Sequence, residues 1–164
     1  MIYDKLVIFV MAMVPVLELR LSIPWAIHKL NLDWADAFLF SLLGNASIAL
    51  ALIIIIYYFK VERIKNFINQ IPIIGFIFKK WENSSIKKSQ KIEKWGYTGL
   101  MCFVAIPLPI TGAWTAVLIS FFLDLKKIKT FIAIVLGLLI SATIVTAVSV
   151  YTPEALIELG WLSD

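Results

Sequence analysis

Glu18, Arg20 and Ser22 place an acid, a base and a hydroxyl at alternate positions inside an otherwise apolar stretch that runs from Leu6 to Pro24. A charge at membrane depth costs about 2.5–3.5 kcal/mol on insertion scales, so such residues mark function by default. Arg20 offers a planar fork of donors that grips an anion through two parallel hydrogen bonds. Glu18 can take and release a proton. Together they point to an anion anchor beside a proton-coupling carboxylate. A structural reading stands next to this one, with both side chains snorkelling to the interface or pairing as glue. Residues two apart do not face each other on a regular helix, so no local Glu18–Arg20 ion pair is expected. Pro15 and Pro24 remove the helical hydrogen bonds to the carbonyls of Met11 and Arg20. At membrane depth such carbonyls are tolerated only against protein or a water-filled cavity.

A second interruption, Pro107-Leu108-Pro109-Ile110-Thr111-Gly112-Ala113-Trp114-Thr115, breaks another apolar run without any ionisable group. Thr111 and Thr115 offer hydroxyls to a ligand or, equally well, to the freed backbone. The candidate substrate-binding and coupling residues are therefore Glu18, Arg20, Ser22, Thr111 and Thr115. Pro15, Pro24, Pro107, Pro109, Gly112 and Trp114 are expected to shape the turns. His28, the single histidine, reads as an interface residue, and Cys102, the single cysteine, as a small buried hydrophobe. No His/Cys/Asp/Glu group has metal-ligand spacing, no nucleophile is paired with a base, and no glycine-rich phosphate loop occurs. Neither enzyme activity nor a cofactor is expected.

The elements that carry these residues belong to a membrane protein. Hydrophobic residues make up 61% of the chain, against about 45–50% in soluble domains. Ala37–Phe59 and Phe131–Tyr151 run for 23 and 21 residues without a charge, and about 20 suffice to cross the bilayer. Gly44, Asn45 and Gly137 lie in the first halves of these spans, where small residues let another helix approach. The net charge of +4 is no nucleic-acid signal, because nine of the fifteen Lys and Arg lie between Lys60 and Lys94, between membrane segments. That pattern reads as a cytoplasmic loop. Val61, Ile64, Phe67, Ile68 and Ile71 recur at helical steps there, as in an amphipathic helix on the membrane surface, with Trp81 and Trp95 at headgroup level. The first apolar run lacks a small-residue cleavage pattern, so it is expected to be retained.

Leu6–Leu17 is 12 residues long, about 18 Å as a helix, too short to cross alone. The broken segments are therefore either kinked full spans or re-entrant hairpins. Hairpins put the basic linker and Lys126, Lys127 and Lys129 on one side, which the positive-inside rule favours. Each repeat then crosses once, and the two have opposite orientation. Aligning Pro15 with Pro107 brings Gly44 within one position of Gly137. The expected fold is all-α and integral to the membrane: an inverted repeat of re-entrant helical hairpin plus transmembrane helix, as one domain over 1–164. Repeat 1 covers 1–59, the amphipathic linker 60–98 and repeat 2 99–164.

Pro15-Val16-Leu17-Glu18-Leu19-Arg20-Leu21-Ser22-Ile23-Pro24, followed by Trp95-Gly96-Tyr97-Thr98-Gly99-Leu100 and by Phe103 through Thr115, resembles the small multidrug export family of prokaryotes. That family in turn looks similar, at a distance, to the DedA and VTT membrane proteins. The resemblance implies paired re-entrant hairpins, an acid/Arg site, and the movement of lipids or lipid-linked phosphates.

The function expected is a transporter or flippase, proton-coupled, for an anionic, lipid-linked phosphate substrate. The alternatives are a small-molecule or multidrug exporter and a non-transport scaffold. Partners are membrane lipid and the anionic substrate, with a homodimer plausible and no nucleic acid. The location is the cell membrane, multi-pass, with the termini outside and residues 60–98 cytoplasmic. In a Cys102→Ala background, a cysteine at Lys127 is predicted to resist an impermeant thiol reagent added outside intact cells. Labelling from outside would overturn the hairpin topology.

Overall fold

A computed structural model describes residues 2–15, 17–58, 89–108 and 111–151. They form six helices and, among the described residues, no strand: α1 (Ile2–Met13), α2 (Glu18–His28), α3 (Trp34–Tyr58), α4 (Ser89–Ala105), α5 (Ala113–Phe122) and α6 (Lys127–Tyr151). The helix α4 begins ten residues before the linker boundary drawn at 98/99 and runs through it. The rest of the basic linker, with Trp81, lies outside the described residues, as do Pro109 and residues 152–164; of Trp95 only the helical backbone is described.

The long helices start earlier than the uncharged runs suggest, at Trp34 and Lys127 rather than Ala37 and Phe131. Local chemistry at their N-termini accounts for this. The Asp33 side chain accepts a hydrogen bond from the Ala35 amide at 3.1 Å, as a helix cap does. Asn31 and Asp124 each take a left-handed conformation just before the long helices, φ 50° and 51°, where a short polar side chain is tolerated better than a bulky one. At 25 residues, α3 and α6 are each about 37 Å long, more than the roughly 30 Å of bilayer hydrocarbon. Only 28% and 44% of their most apolar windows are buried by the rest of the described residues, whereas the core helix of a soluble protein is mostly buried. Leu39, Leu43, Leu50, Ile54, Ile132, Leu136 and Ile140 face outward. Soluble proteins rarely expose so much continuous apolar surface, and a lipid environment satisfies it.

Pro15 and Pro107 lie in the two interruptions, after α1 and α4. Pro24, expected to shape a turn, is instead inside α2 and buried. Its missing N–H leaves the Arg20 carbonyl without the usual helical donor, yet the helix continues through it. The first break is thus confined to residues 14–17, and the polar element Glu18–Ser22 opens the helix that follows. Trp114, also expected in a turn, sits in the first turn of α5. Cys102 is exposed rather than buried, because it lies on the outer face of α4.

The packing follows one plan twice. α1 lies along α3, α4 lies along α6, and α3 and α6 pack against each other. The helix α2 also reaches α6, and α5 reaches α3, so each short helix contacts the long helix of the other half. The chain displacement that carries Asn31 onto Asp124 also carries Gly44 onto Gly137 and α3 onto α6. Gly44 sits against the Phe9 carbonyl and Ala12, while Gly137 sits against the Met101 carbonyl and Val104. Lys5 pairs with Asp36 at 2.7 Å; at the matching place Lys129 lies 5.6 Å from the centre of the Tyr97 ring. The contact recurs while its chemistry changes. The shared core gathers Leu19 and Ile23 of α2, Ala49 and Ile53 of α3, Val104 of α4, Val117 of α5 and Ile134 and Leu138 of α6.

Both close approaches leave no room for a side chain. Gly44→Leu and Gly137→Leu should each destabilise the protein by about 1–3 kcal/mol or more, through overpacking against backbone. Gly99→Ala, where an added methyl meets nothing, should be neutral or stabilising. Heating the detergent-solubilised protein and measuring what remains monodisperse checks this; equal midpoints for the leucine variants and wild type would refute the packing.

Candidate functional site

The first break sets the direction of Glu18. The chain leaves α1 with the Val14 amide bonded to the Met11 carbonyl at 3.2 Å, and α2 starts with the Glu18 amide bonded to Val14 at 3.1 Å. Glu18 itself has φ 44°, a left-handed conformation that costs a non-glycine residue about 1–2 kcal/mol. Because Glu18 departs from helical geometry, the spacing rule for a regular helix does not govern it. Its Oε2 lies 3.9 Å from Arg20 Nη2, an ion pair that regular helical spacing had argued against. Glu18 is 5% exposed and Arg20 6%, the two buried charged residues among those described.

The second break receives Arg20. The guanidinium donates through Nη1 to the Leu108 carbonyl and through Nη2 to Thr111 Oγ1 at 3.0 Å. The Thr111 hydroxyl is fully used. It accepts from Arg20 and from the Leu108 amide at 3.2 Å, and donates to the Ile106 or Leu108 carbonyl at 2.7 and 2.8 Å. Arg20 thereby supplies donors to a turn in which Pro107 lacks an N–H. The Glu18 carboxylate lies against Gly112, filling the space a Cβ would take there. Gly112 is the extended N-cap of α5, and the backbone amides of Ala113 and Trp114 face the carboxylate. Those amides are the positive end of the helix, which favours an anion. From the other direction, Trp114 Nε1 donates to the Met13 carbonyl at 3.1 Å and satisfies the last turn of α1.

Glu18, Arg20, Thr111, Gly112 and Trp114 therefore meet at one junction of the two breaks. Ser22 does not join them: its hydroxyl pairs with Ser41 at 2.7 Å and holds α2 to α3. Thr115 lies in the first turn of α5, half-buried. His28 Nε2 lies 3.0 Å from the Ser149 carbonyl and ties the far end of α2 to α6. Asn45, expected as a packing residue, is fully buried beside Glu18, and among the described residues neither its Nδ2 nor its Oδ1 has a well-formed hydrogen bond. The same holds for Glu18 Oε2 and Arg20 Nε. The sequence signal for Asn45 was its carboxamide in the middle of a 25-residue apolar helix. No signal marked the Leu108 carbonyl. Among the described residues no group of three His, Cys, Asp or Glu could hold a metal ion.

Two long apolar helices, an apolar outer surface and a buried acid–base pair where two helix breaks meet define a helical membrane protein with a polar centre. The sequence model of the family described as "Putative small multi-drug export protein" matches residues 18–144, from Glu18 into α6. The chain belongs to that family. No curated protein and no solved structure matches it.

Thr111→Val keeps the shape of the second break but removes the acceptor for Arg20 and the donor to the turn carbonyls. A hydrogen bond to a charged group contributes about 1.5–3 kcal/mol, so Thr111→Val should lower the thermal midpoint clearly while Thr111→Ser stays near wild type. Indistinguishable midpoints for all three would show that Arg20 is not held there.

Proposed function

We propose that this chain is a membrane transporter or flippase for an anionic, phosphate-type substrate, lipid-linked in the first instance, coupled to protons at the Glu18–Arg20 junction. One observation carries the sign of the substrate: among the described residues the buried charges are one carboxylate and one guanidinium, in contact. A buried pair of this kind is near balance, and an unpaired extra charge in a low-dielectric site is costly. An added anion can be balanced by protonating Glu18. An added cation cannot be balanced by deprotonating Arg20, whose guanidinium stays charged. The pair is thus asymmetric, and it favours uptake of negative charge together with a proton.

The proposed architecture is an inverted repeat, with α1–α2 and α4–α5 as re-entrant hairpins that enter from opposite faces and meet at their breaks. Its support is the twice-used packing plan and the shortness of α2 and α5, 11 and 10 residues, about 15 Å each. Sites at the interface of two such repeats suit alternating access. The proposed topology puts both termini outside and residues 60–98 in the cytoplasm. A homodimer would thicken the thin helical wall around the site.

A second reading, export of amphipathic compounds, draws on the family description and on a cavity of about 460 Å³ between the start of α3 and the end of α6. Trp34, Phe38, Ala147, Val150 and Tyr151 give it an apolar, aromatic lining. That cavity suits an apolar body, whereas the charged junction suits a headgroup.

Reconstituted transport separates the readings. Arg20→Ala should abolish movement of the anionic substrate, and Arg20→Lys should restore only part of it, because a point charge cannot reproduce the two-pronged contact. Glu18→Gln should retain binding but lose dependence on the proton gradient. Full, pH-dependent transport in Glu18→Gln would eliminate the proton role. Export of an amphipathic cation that survives Arg20→Ala but not Phe38→Ala would favour the second reading.

A further inference from the structure

The Glu18 carboxylate is surrounded mainly by donors. The amides of Ala113 and Trp114 face it from the N-terminus of α5, Arg20 flanks it at 3.9 Å, and the Asn45 carboxamide lies beside it from α3. Gly112 lies against it, and only the missing Cβ of that residue makes room. A carboxylate is an oxyanion, and here it arrives on a tether that needs a left-handed backbone to reach its place. Several polar atoms here are unmatched among the described residues: Glu18 Oε2, the Nδ2 and Oδ1 of fully buried Asn45, and Nε of Arg20, a residue 6% exposed. Buried polar groups are nearly always hydrogen-bonded, so a carboxylate that leaves its own Oε2 and the neighbouring Asn45 carboxamide unmatched fills this place incompletely, and a larger oxyanion can use the Asn45 donor it leaves.

We propose that Glu18 is an internal, displaceable occupant of an oxyanion seat at the N-terminus of α5, and that the seat's external ligand is the phosphate-type group of the substrate. This rests on the transport reading for its biological sense, though not for its geometry. Ionised Glu18 holds the seat. When its carboxylate takes a proton, at the unpartnered Oε2, the side chain is neutral, its attraction to the donors falls, and the external oxyanion enters in its place. One negative charge replaces another beside Arg20, so proton uptake and anion binding go together. The charges facing the seat are simple: Arg20 comes from α2 itself, α3 brings neutral Asn45, and α5 brings backbone amides. The second break brings Thr111 and the Leu108 carbonyl, and α1, α4 and α6 bring no buried charge among the described residues.

The test is equilibrium binding to the full chain in nanodiscs between pH 5 and 8. One arm uses sulfate, which stays fully ionised over that range, and the other uses phosphatidate in the disc as a headgroup probe. Wild type should bind sulfate more tightly as pH falls, by up to about tenfold per pH unit for one linked proton. Glu18→Ala should bind sulfate about tenfold or more tighter at pH 7.5, with no pH dependence; the phosphatidate arm is compared at pH 7.5 alone, because a phosphate monoester itself ionises near about pH 6. Adding Asn45→Leu to Glu18→Ala should weaken binding, and adding Gly112→Ala should abolish it by filling the seat. Where Glu18→Ala does not fold, Glu18→Gln keeps the shape and reports the same loss of pH dependence. Sulfate binding without phosphatidate binding identifies a free anion as the ligand, and the converse a lipid headgroup; either supports the seat. Glu18→Ala that binds neither probe, binds no tighter than wild type, or keeps the wild-type pH slope for sulfate overturns it. Loss of transport in Arg20→Ala with the seat absent would leave the transport reading standing. An intact seat in a protein that moves no anion would overturn only that reading.

Discussion

Arg20 is the side chain on which the rest of the junction depends. Its guanidinium leaves the first broken segment, bonds the Leu108 carbonyl and Thr111 of the second, and stays within reach of Glu18. A helix break at membrane depth leaves backbone groups without partners, and lipid offers none. Arg20 supplies from the opposite half of the chain one donor to the Leu108 carbonyl and one to the Thr111 hydroxyl that braces the turn. The Trp114 indole returns the favour at the end of α1. Each half therefore donates into the other's break.

Charge and packing are coupled through the same contact. Burying Arg20 without a counter-charge would be prohibitive, and Glu18 supplies the counter-charge only because its backbone turns left-handed at φ 44°. The carboxylate then needs Gly112, where any side chain would collide with it. The outer layer makes this possible by bringing the pieces close. Gly44 and Gly137 bring α1 and α4 down onto α3 and α6, and α2 and α5 cross to the long helix of the other half. A chain of small residues and two charges thus links the bilayer-facing helices to the polar centre.

Much of the outline was legible in the sequence, because the signals were strong and local. Uncharged runs gave α3 and α6, prolines gave the two interruptions, and charges in apolar context singled out Glu18 and Arg20. The rest was set by backbone conformation and by contacts far apart in the chain. Pro24 reads as a break, but a helix whose neighbours pack around it carries a proline through. Glu18 and Arg20 read as unpaired because helical spacing was assumed at a residue that is not helical in φ. Ser22 shares the alternation of the charged pair, yet its partner is Ser41. Asn45 looked like packing because nothing in its own helix announces that Glu18 lies beside it.

The central claim is that the two breaks are held together by Arg20 rather than lying near one another by chance. A double-mutant cycle between Arg20→Met and Thr111→Val, read as thermodynamic stability in the same membrane mimic, measures that contact directly. Residues that interact in one hydrogen-bond network show coupling of about 0.5–3 kcal/mol, and a favourable coupling in that range is predicted here. Strict additivity of the two substitutions would contradict the account.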